Sequence, residues 1–317
     1  MRGAFFRTLV KLAECDERIY LIVGDLGFGV AETFAQRFPC RFLNAGVAEQ
    51  NMTGMAAGLA LSGKIVFTYS IANFPVLRCL EQIRNDVCYH GANVKIVAVG
   101  GGLAYGSLGS SHHATEDLAI MRSLPHMTVV APGDPTEAEA ATQAVAEHQG
   151  PCYLRLGRAG ESTVHRGLIS FQLGKAIQVR RGTDLTLIST GGLLETAVQV
   201  AEILSKKNLQ ARVLSMHTLK PLDIDTLLAA ARETGEIYTL EEHSVIGGLG
   251  SAVAEVLAES GAESVTFKRF GLPSSFSCKI GTQEYLRAQH GLSAESVAEA
   301  ICSISEKARI LVTSAEI

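Results

Sequence analysis

The sequence predicts an α/β protein built from two consecutive open, largely parallel sheets. Short apolar runs alternate with helix-period segments along the whole chain, the pattern that parallel strands with crossover helices produce. The 317 residues suffice for two units of ~150 residues each. Between two such blocks lies a polar stretch, Arg158–Arg181, with glycines at 160, 167 and 174. The boundary is placed there, giving expected domains at residues 1–165 and 175–317.

In the first block, strands are read at Ile19–Val23, Arg41–Asn44, Ile65–Tyr69, Val94–Val99, Thr128–Ala131 and Cys152–Leu156. Helices are read at Glu49–Leu61, Leu77–Tyr89 and Thr136–His148. In the first helix Met52, Met55, Ala56 and Leu59 follow the spacing of one buried stripe. Gly54 and Gly58 lie four apart in it, each costing ~1 kcal/mol against alanine, so a close approach there is expected to offset the cost. In the second block, strands are read at Leu185–Ser189, Ala211–Met216, Ile237–Leu240 and Val265–Arg269. Its helices are Leu193–Ser205, Ile224–Glu233 and Ser251–Glu259.

Composition excludes several functions. Hydrophobic residues make up 47% and charged residues 19%, so the chain can bury a large core. The net charge of −4 comes with no basic block to track a phosphate backbone, which argues against nucleic acid. The uncharged run Ile96–Thr115 holds five glycines, three serines and two histidines, a strand entering a loop and not a membrane span. Seven cysteines without a CxxC pair indicate neither a disulfide framework nor a zinc ribbon. Buried free thiols and a cytoplasmic location are expected. No metal ligands are assigned to this chain.

Two glycine-rich turns invite a nucleotide reading. Gly247-Gly248-Leu249-Gly250 has Val253 where a dinucleotide fingerprint needs Gly or Ala, so it reads as a structural turn. Gly24-Asp25-Leu26-Gly27-Phe28-Gly29 ends the first strand, where open sheets bind ligands, but lacks a P-loop lysine. His112-His113 has two readings. Thr115-Glu116-Asp117 alone marks a helix start with the histidines on a solvated loop; alternatively the loop aims one imidazole into a cleft. Glu49 opens an otherwise apolar helix, where the helix dipole alone would favour it.

The run Gly46-Val47-Ala48-Glu49-Gln50-Asn51 closely resembles the pyrimidine-domain motif of transketolases and their thiamine-diphosphate relatives. Tyr69-Ser70, Gln82–Val87, the Gly109–Asp117 loop, Gly150-Pro151 with Arg158, and Glu241-Glu242-His243 with Gly247–Gly250 follow in the family's order. The resemblance covers almost the entire chain and implies a pyrimidine-binding fold followed by a transketolase C-terminal-like domain. It implies thiamine diphosphate as cofactor and transfer of a two-carbon ketol unit between sugar phosphates. Glu49 is then the catalytic carboxylate at pyrimidine N1′, where burial against a neutral ring would raise its pKa. Phe74 would stack on the pyrimidine, or serve as a core aromatic, and Tyr69 would line the same pocket. His112 would contact the substrate's reacting oxygens, and Arg158 would bind the sugar phosphate.

The chain departs from the family at Leu108, where an aspartate reads a substrate hydroxyl, and at Gly100-Gly101, where a His-Asp pair stands. No Gly-Asp-Gly occurs, so Mg²⁺ and the diphosphate are expected on a separate N-terminal transketolase subunit, two copies of each chain assembling around a dimer core. Three rival readings stay open. A deoxyxylulose-phosphate-synthase-like or 2-oxo acid dehydrogenase β-subunit-like enzyme would decarboxylate an oxo acid. A non-catalytic subunit would be expected to lose Glu49, His112 or Arg158, and all three are present.

Overall fold

The computed structural model describes residues 1–261 and 265–315, and of 307–315 only the course of a helix. A seven-stranded sheet has the order β10-β5-β6-β4-β3-β1-β2, and a five-stranded sheet the order β12-β11-β8-β9-β7. The strands are β1 (Ile19–Val23), β2 (Phe42–Asn44), β3 (Ile65–Ile71), β4 (Val94–Val99), β5 (Thr128–Val130) and β6 (Cys152–Leu156). Then come β7 (Ile177–Arg180), β8 (Leu185–Ser189), β9 (Ala211–Ser215), β10 (Thr218–Lys220), β11 (Glu236–Ser244) and β12 (Thr266–Leu272). All pairs are parallel except β10 on β5 and β7 on β9.

The central strands are apolar on both faces because helices cover both. Along β1, Leu21 and Val23 face the Arg2–Cys15 helix with Phe5 and Leu9, while Ile22 faces Met52 and Ala56 of the Glu49–Leu61 helix. That helix has the bounds expected of it. Its Gly54 and Gly58 are exposed, and among the described residues a Cβ on either would meet nothing within 4 Å, so none of these makes the expected close approach. The Ile22 side of the core continues into the second half through Ile188, Leu214, Leu227 and Val253.

Several expectations need correction. The stretch read as one helix, Leu77–Tyr89, is a helix at Asn73–Leu77, a turn at Leu80–Gln82 and a π-helical segment at Ile83–Cys88. Pro75 sits in the first turn of Asn73–Leu77, where its missing N–H has no partner to lose. The polar linker contains β7, whose residues are half-exposed and only partly apolar. β10, from the second half, completes the edge of the first sheet and so crosses the expected boundary. Of the cysteines, all free, Cys79, Cys88 and Cys152 are buried, but Cys15, Cys40 and Cys278 are exposed. Among the described residues no helix is long and apolar enough to cross a membrane.

Candidate active site

The site is assembled at the carboxyl ends of β2, β3, β4 and β6, where parallel sheets leave strand-end loops free to carry side chains. Asn44 ends β2; its side-chain oxygen accepts from Asp25 N at 3.1 Å and Gly46 N at 2.9 Å, and its amide donates to Asp25 Oδ1 at 3.0 Å. Gly46 turns with φ +71°, which an L side chain would resist. The chain thereby enters the Glu49–Leu61 helix with Glu49 as its first residue, 2% exposed.

Glu49 is held from two sides. Arg78 Nη1 donates to Oε2 at 2.9 Å, and Ser70 Oγ reaches Oε1 at 3.4 Å. The same guanidinium lies 4.2 Å from the centroid of Phe74. Arg78 itself is half-exposed, and its carbonyl accepts from Gln50 Nε2 at 2.9 Å. Glu49 thus faces the Arg78 guanidinium. One planar group, the Arg78 guanidinium, therefore lies over the Phe74 ring and bonds to Glu49.

The loop after β4 is pinned by two bonds between Gly102 and Ala114 and by Asn73 Nδ2, which donates to Ser111 O at 2.7 Å. Its His112 ring meets the Phe74 ring edge-on at 5.2 Å and the Tyr105 ring at 6.4 Å. Ser111 Oγ lies 3.0 Å from His112 Nδ1. His113 turns away and is 4% exposed, with no hydrogen-bond partner at Nε2; burial pushes its pKa down. Arg158, exposed after β6, stands 5.1 Å over Tyr105. Contacts therefore run unbroken from Glu49 through Arg78, Phe74, His112 and Tyr105 to Arg158.

Tyr69 is not part of this row. Adjacent residues of a strand point to opposite faces, so with Ser70 on Glu49, Tyr69 is sent to the other side of β3. There it stacks on Phe5 at 6.1 Å and meets Phe6 edge-on at 4.9 Å, 1% exposed, and burial pushes its phenol pKa up. It is a core residue.

Sequence reasoning missed a buried network that backs the loop. Asp117 Oδ2 accepts from Tyr153 OH at 2.6 Å and from Arg155 Nε at 2.8 Å, and Arg155 Nη2 donates to Ala114 O and Glu242 O. The alternating apolar run of β6 hides both donors, so no local signal marks them. The Glu241-Glu242-His243 motif joins the halves. Glu241 accepts from Leu249 N and Gly250 N, capping the next helix, while Glu242 accepts from Leu103 N, Gln283 and Arg287. The glycine turn beside it is structural: a Cβ on Gly248 would fall 2.0 Å from Glu241 Oε2. A polar cleft lined by Gly101, Arg155, Glu161, Gly191 and Arg287 opens between the halves, and Glu49 does not line it. Among the described residues, no group of three His, Cys, Asp or Glu side chains could hold a metal ion.

Residues 1–160 match the family described as transketolase, pyrimidine binding domain, and residues 174–297 match transketolase, C-terminal domain. The chain is 39% identical over 308 residues to an apulose-4-phosphate transketolase subunit of Phocaeicola vulgatus, covering 96% of this chain and 97% of that one. It is 38% identical over 308 residues to the 6-deoxy-6-sulfo-D-fructose transketolase subunit of a Clostridium species, covering 97% and 95%. A solved structure described as a split gene transketolase, inactive β4 tetramer, superposes with a TM-score of 0.86 at 40% identity, covering 96% and 97%.

Proposed function

This chain belongs to the transketolase family as its C-terminal section, and on that premise we propose that it is the pyrimidine-binding subunit of a split, thiamine-diphosphate-dependent ketol transferase. The single observation that carries the reading is that buried Glu49 and the Phe74 ring flank one planar group, the Arg78 guanidinium. A buried carboxylate and an aromatic face are set apart by one planar group, with His112 and Arg158 following along one wall. The donor set suits an aminopyrimidine, which needs an acid at one ring nitrogen and a flat apolar surface.

Glu49 would hold a proton at N1′ of a bound aminopyrimidine. Phe74 would orient the ring, and Ser70 and Gly24, where a Cβ would come within 3.7 Å of Glu49 Oε1, help to keep the carboxylate 2% exposed. When bound, the cofactor supplies a thiazolium carbon able to attack a ketose carbonyl and carry a two-carbon unit to an aldose. His112 exchanges a proton with the sugar's reacting oxygen, and Arg158 holds its terminal phosphate. The diphosphate and Mg²⁺ lie on a partner subunit, two copies of this chain forming the dimer core. The description of these relatives as transketolase subunits, and of the solved structure as a split gene transketolase, supports that division.

The test is a ketol-transfer assay of this chain mixed with the product of the companion gene, over a panel of sugar phosphates. Glu49→Gln should lose at least ~10²–10⁴-fold in turnover and slow exchange of the thiazolium C2 proton by NMR, with assembly intact. Wild-type exchange in the variant would remove Glu49 from the mechanism. Release of carbon dioxide from pyruvate without ketol transfer would favour the decarboxylase reading instead.

A further inference from the structure

We infer that Tyr105 lines the substrate site and packs its ring on the carbons between the substrate's two ends, an apolar wall that reads no hydroxyl there. The inference rests on the reading above, in which His112 meets the reacting end and Arg158 the terminal anion. Tyr105 lies between them, its ring 6.4 Å from His112 and 5.1 Å below the Arg158 guanidinium.

The ring holds that place because of the residues beneath it. Gly100 has φ +82° and no side chain, and a Cβ there would fall 2.0 Å from Tyr105 Cε2 and 2.4 Å from Cδ2. The ring therefore fills the volume that any side chain at position 100 would claim. Gly101 leaves room in the same way for Arg155, whose Nε would lie 2.4 Å from a Cβ; that guanidinium is turned inward onto Asp117. Leu108, at the tip of the same loop, is 53% exposed and apolar. Three positions that could have offered hydrogen-bonding side chains instead offer a ring, an inward-facing arginine and a leucine.

A site built to hydrogen-bond a hydroxyl rejects the analogue lacking it by about 10⁴-fold, whereas an apolar wall discriminates by roughly 10–200-fold at most. The substrates that fit are phosphorylated sugars, or sugars with another terminal anion, whose intervening carbon presents C–H or a branch rather than a hydroxyl to be read.

The experiment uses the assembled enzyme with two acceptors, glyceraldehyde 3-phosphate and 3-oxopropyl phosphate, which lacks the 2-hydroxyl. Wild type should use the two with kcat/KM values within about tenfold of each other, the small ratio of an apolar wall. Tyr105→Leu should raise KM for both by roughly tenfold while kcat stays within about threefold, and Tyr105→Phe, which keeps the ring, should stay near wild type. Discrimination by about 10³-fold or more in wild type would overturn the proposal, as would an unchanged KM in Tyr105→Leu. A loss confined to kcat, or to folded protein in Tyr105→Leu together with altered KM in Tyr105→Phe, would equally overturn it. Absence of ketol transfer by wild type on every sugar would instead overturn the reading on which it rests.

Discussion

Arg78 and Glu49 are 29 positions apart in sequence and 2.9 Å apart in the fold, and their contact has a cost for ligand entry. A pyrimidine resting on Phe74 and bonding to Glu49 must displace the guanidinium. A hydrogen bond to a charged group is worth about 1.5–3 kcal/mol when shielded, but Arg78 is 46% exposed, so solvent discounts that figure. Arg78→Met should therefore tighten binding of thiamine diphosphate to the assembled enzyme by only about two- to tenfold, read by calorimetric titration. Weaker binding in the variant would mean that Arg78 helps hold the cofactor instead. Arg158 makes a second, separable prediction. It stacks on Tyr105 from an exposed position, so Arg158→Ala should leave stability nearly unchanged and raise KM roughly tenfold or more for phosphorylated substrates. Their dephosphorylated counterparts should be little affected; an equal effect on both sets would make Arg158 structural. At this scale the sequence carried much of the candidate site. Glu49, Phe74, His112 and Arg158 stand in one row, because motif order tracks strand-end order in a parallel sheet. Tyr69 went astray because a one-residue alternation decides the face, and its neighbour Ser70 took the side toward Glu49.

The segment between the two sheets is an element in its own right, although its composition reads as a linker. Asp134 Oδ2 accepts from Val164 N and His165 N at 2.9 Å each, and His165 Nε2 lies 2.8 Å from buried Glu137. Phe171 stacks on His217 at 3.9 Å. Burial pushes His217 down to about 4 from an ordinary value of 6.5, partly offset by the nearby Glu137, while His165 adds to the depression. The folded form therefore prefers neutral His217. Its contribution is fully present above pH 6.5 and is lost as pH falls through 6.5 toward 4, where the unfolded chain takes up the proton first. The loss should be about 3 kcal/mol at most. His165 works in the opposite sense. Glu137 raises its pKa despite burial, so its contribution is full at low pH and declines as pH rises through the raised value. Urea unfolding from pH 7 to pH 4 should show His217→Gln less acid-sensitive than wild type and His165→Gln more so. Parallel curves for all three proteins would reject this account of the strap. Elements with long apolar periods, such as the Glu49–Leu61 helix, were legible to the residue. Of the short strands, β2 and β5 were read but β7 and β10 were not, because the latter two are too short and too polar to show a period and owe their conformation to the strands they pair with.

The molecule as a whole is less divisible than its two sheets suggest. β10 pairs with β5 through Thr218–Val130 and Lys220–Val129, and the core behind β1 and β3 runs on into Leu214, Leu227 and Val253. Arg155 and Glu242 tie the halves through main-chain atoms as well. The full chain should accordingly unfold in one transition, with far-ultraviolet circular dichroism and tyrosine fluorescence coinciding. A fragment of residues 1–165 should show no cooperative transition of its own. Independent, cooperative folding of that fragment would show that β10 is dispensable. The two-sheet plan was plain from the alternation of apolar runs. The exchange of one strand was not, since no feature of Thr218-Leu219-Lys220 says which sheet receives it.

That borrowed strand also sets a schedule for synthesis. β5 leaves the ribosome about 90 residues before the strand that will cover its outer edge. At about 5–20 residues per second, the gap lasts from several seconds to nearly twenty. Throughout it the nascent chain displays an unpaired, largely apolar edge, Thr128-Val129-Val130, of the kind that recruits chaperones or pairs with a neighbouring polypeptide on the same message. Slowing translation between codons 131 and 218 should therefore lower soluble yield, whereas slowing it after codon 220 should not.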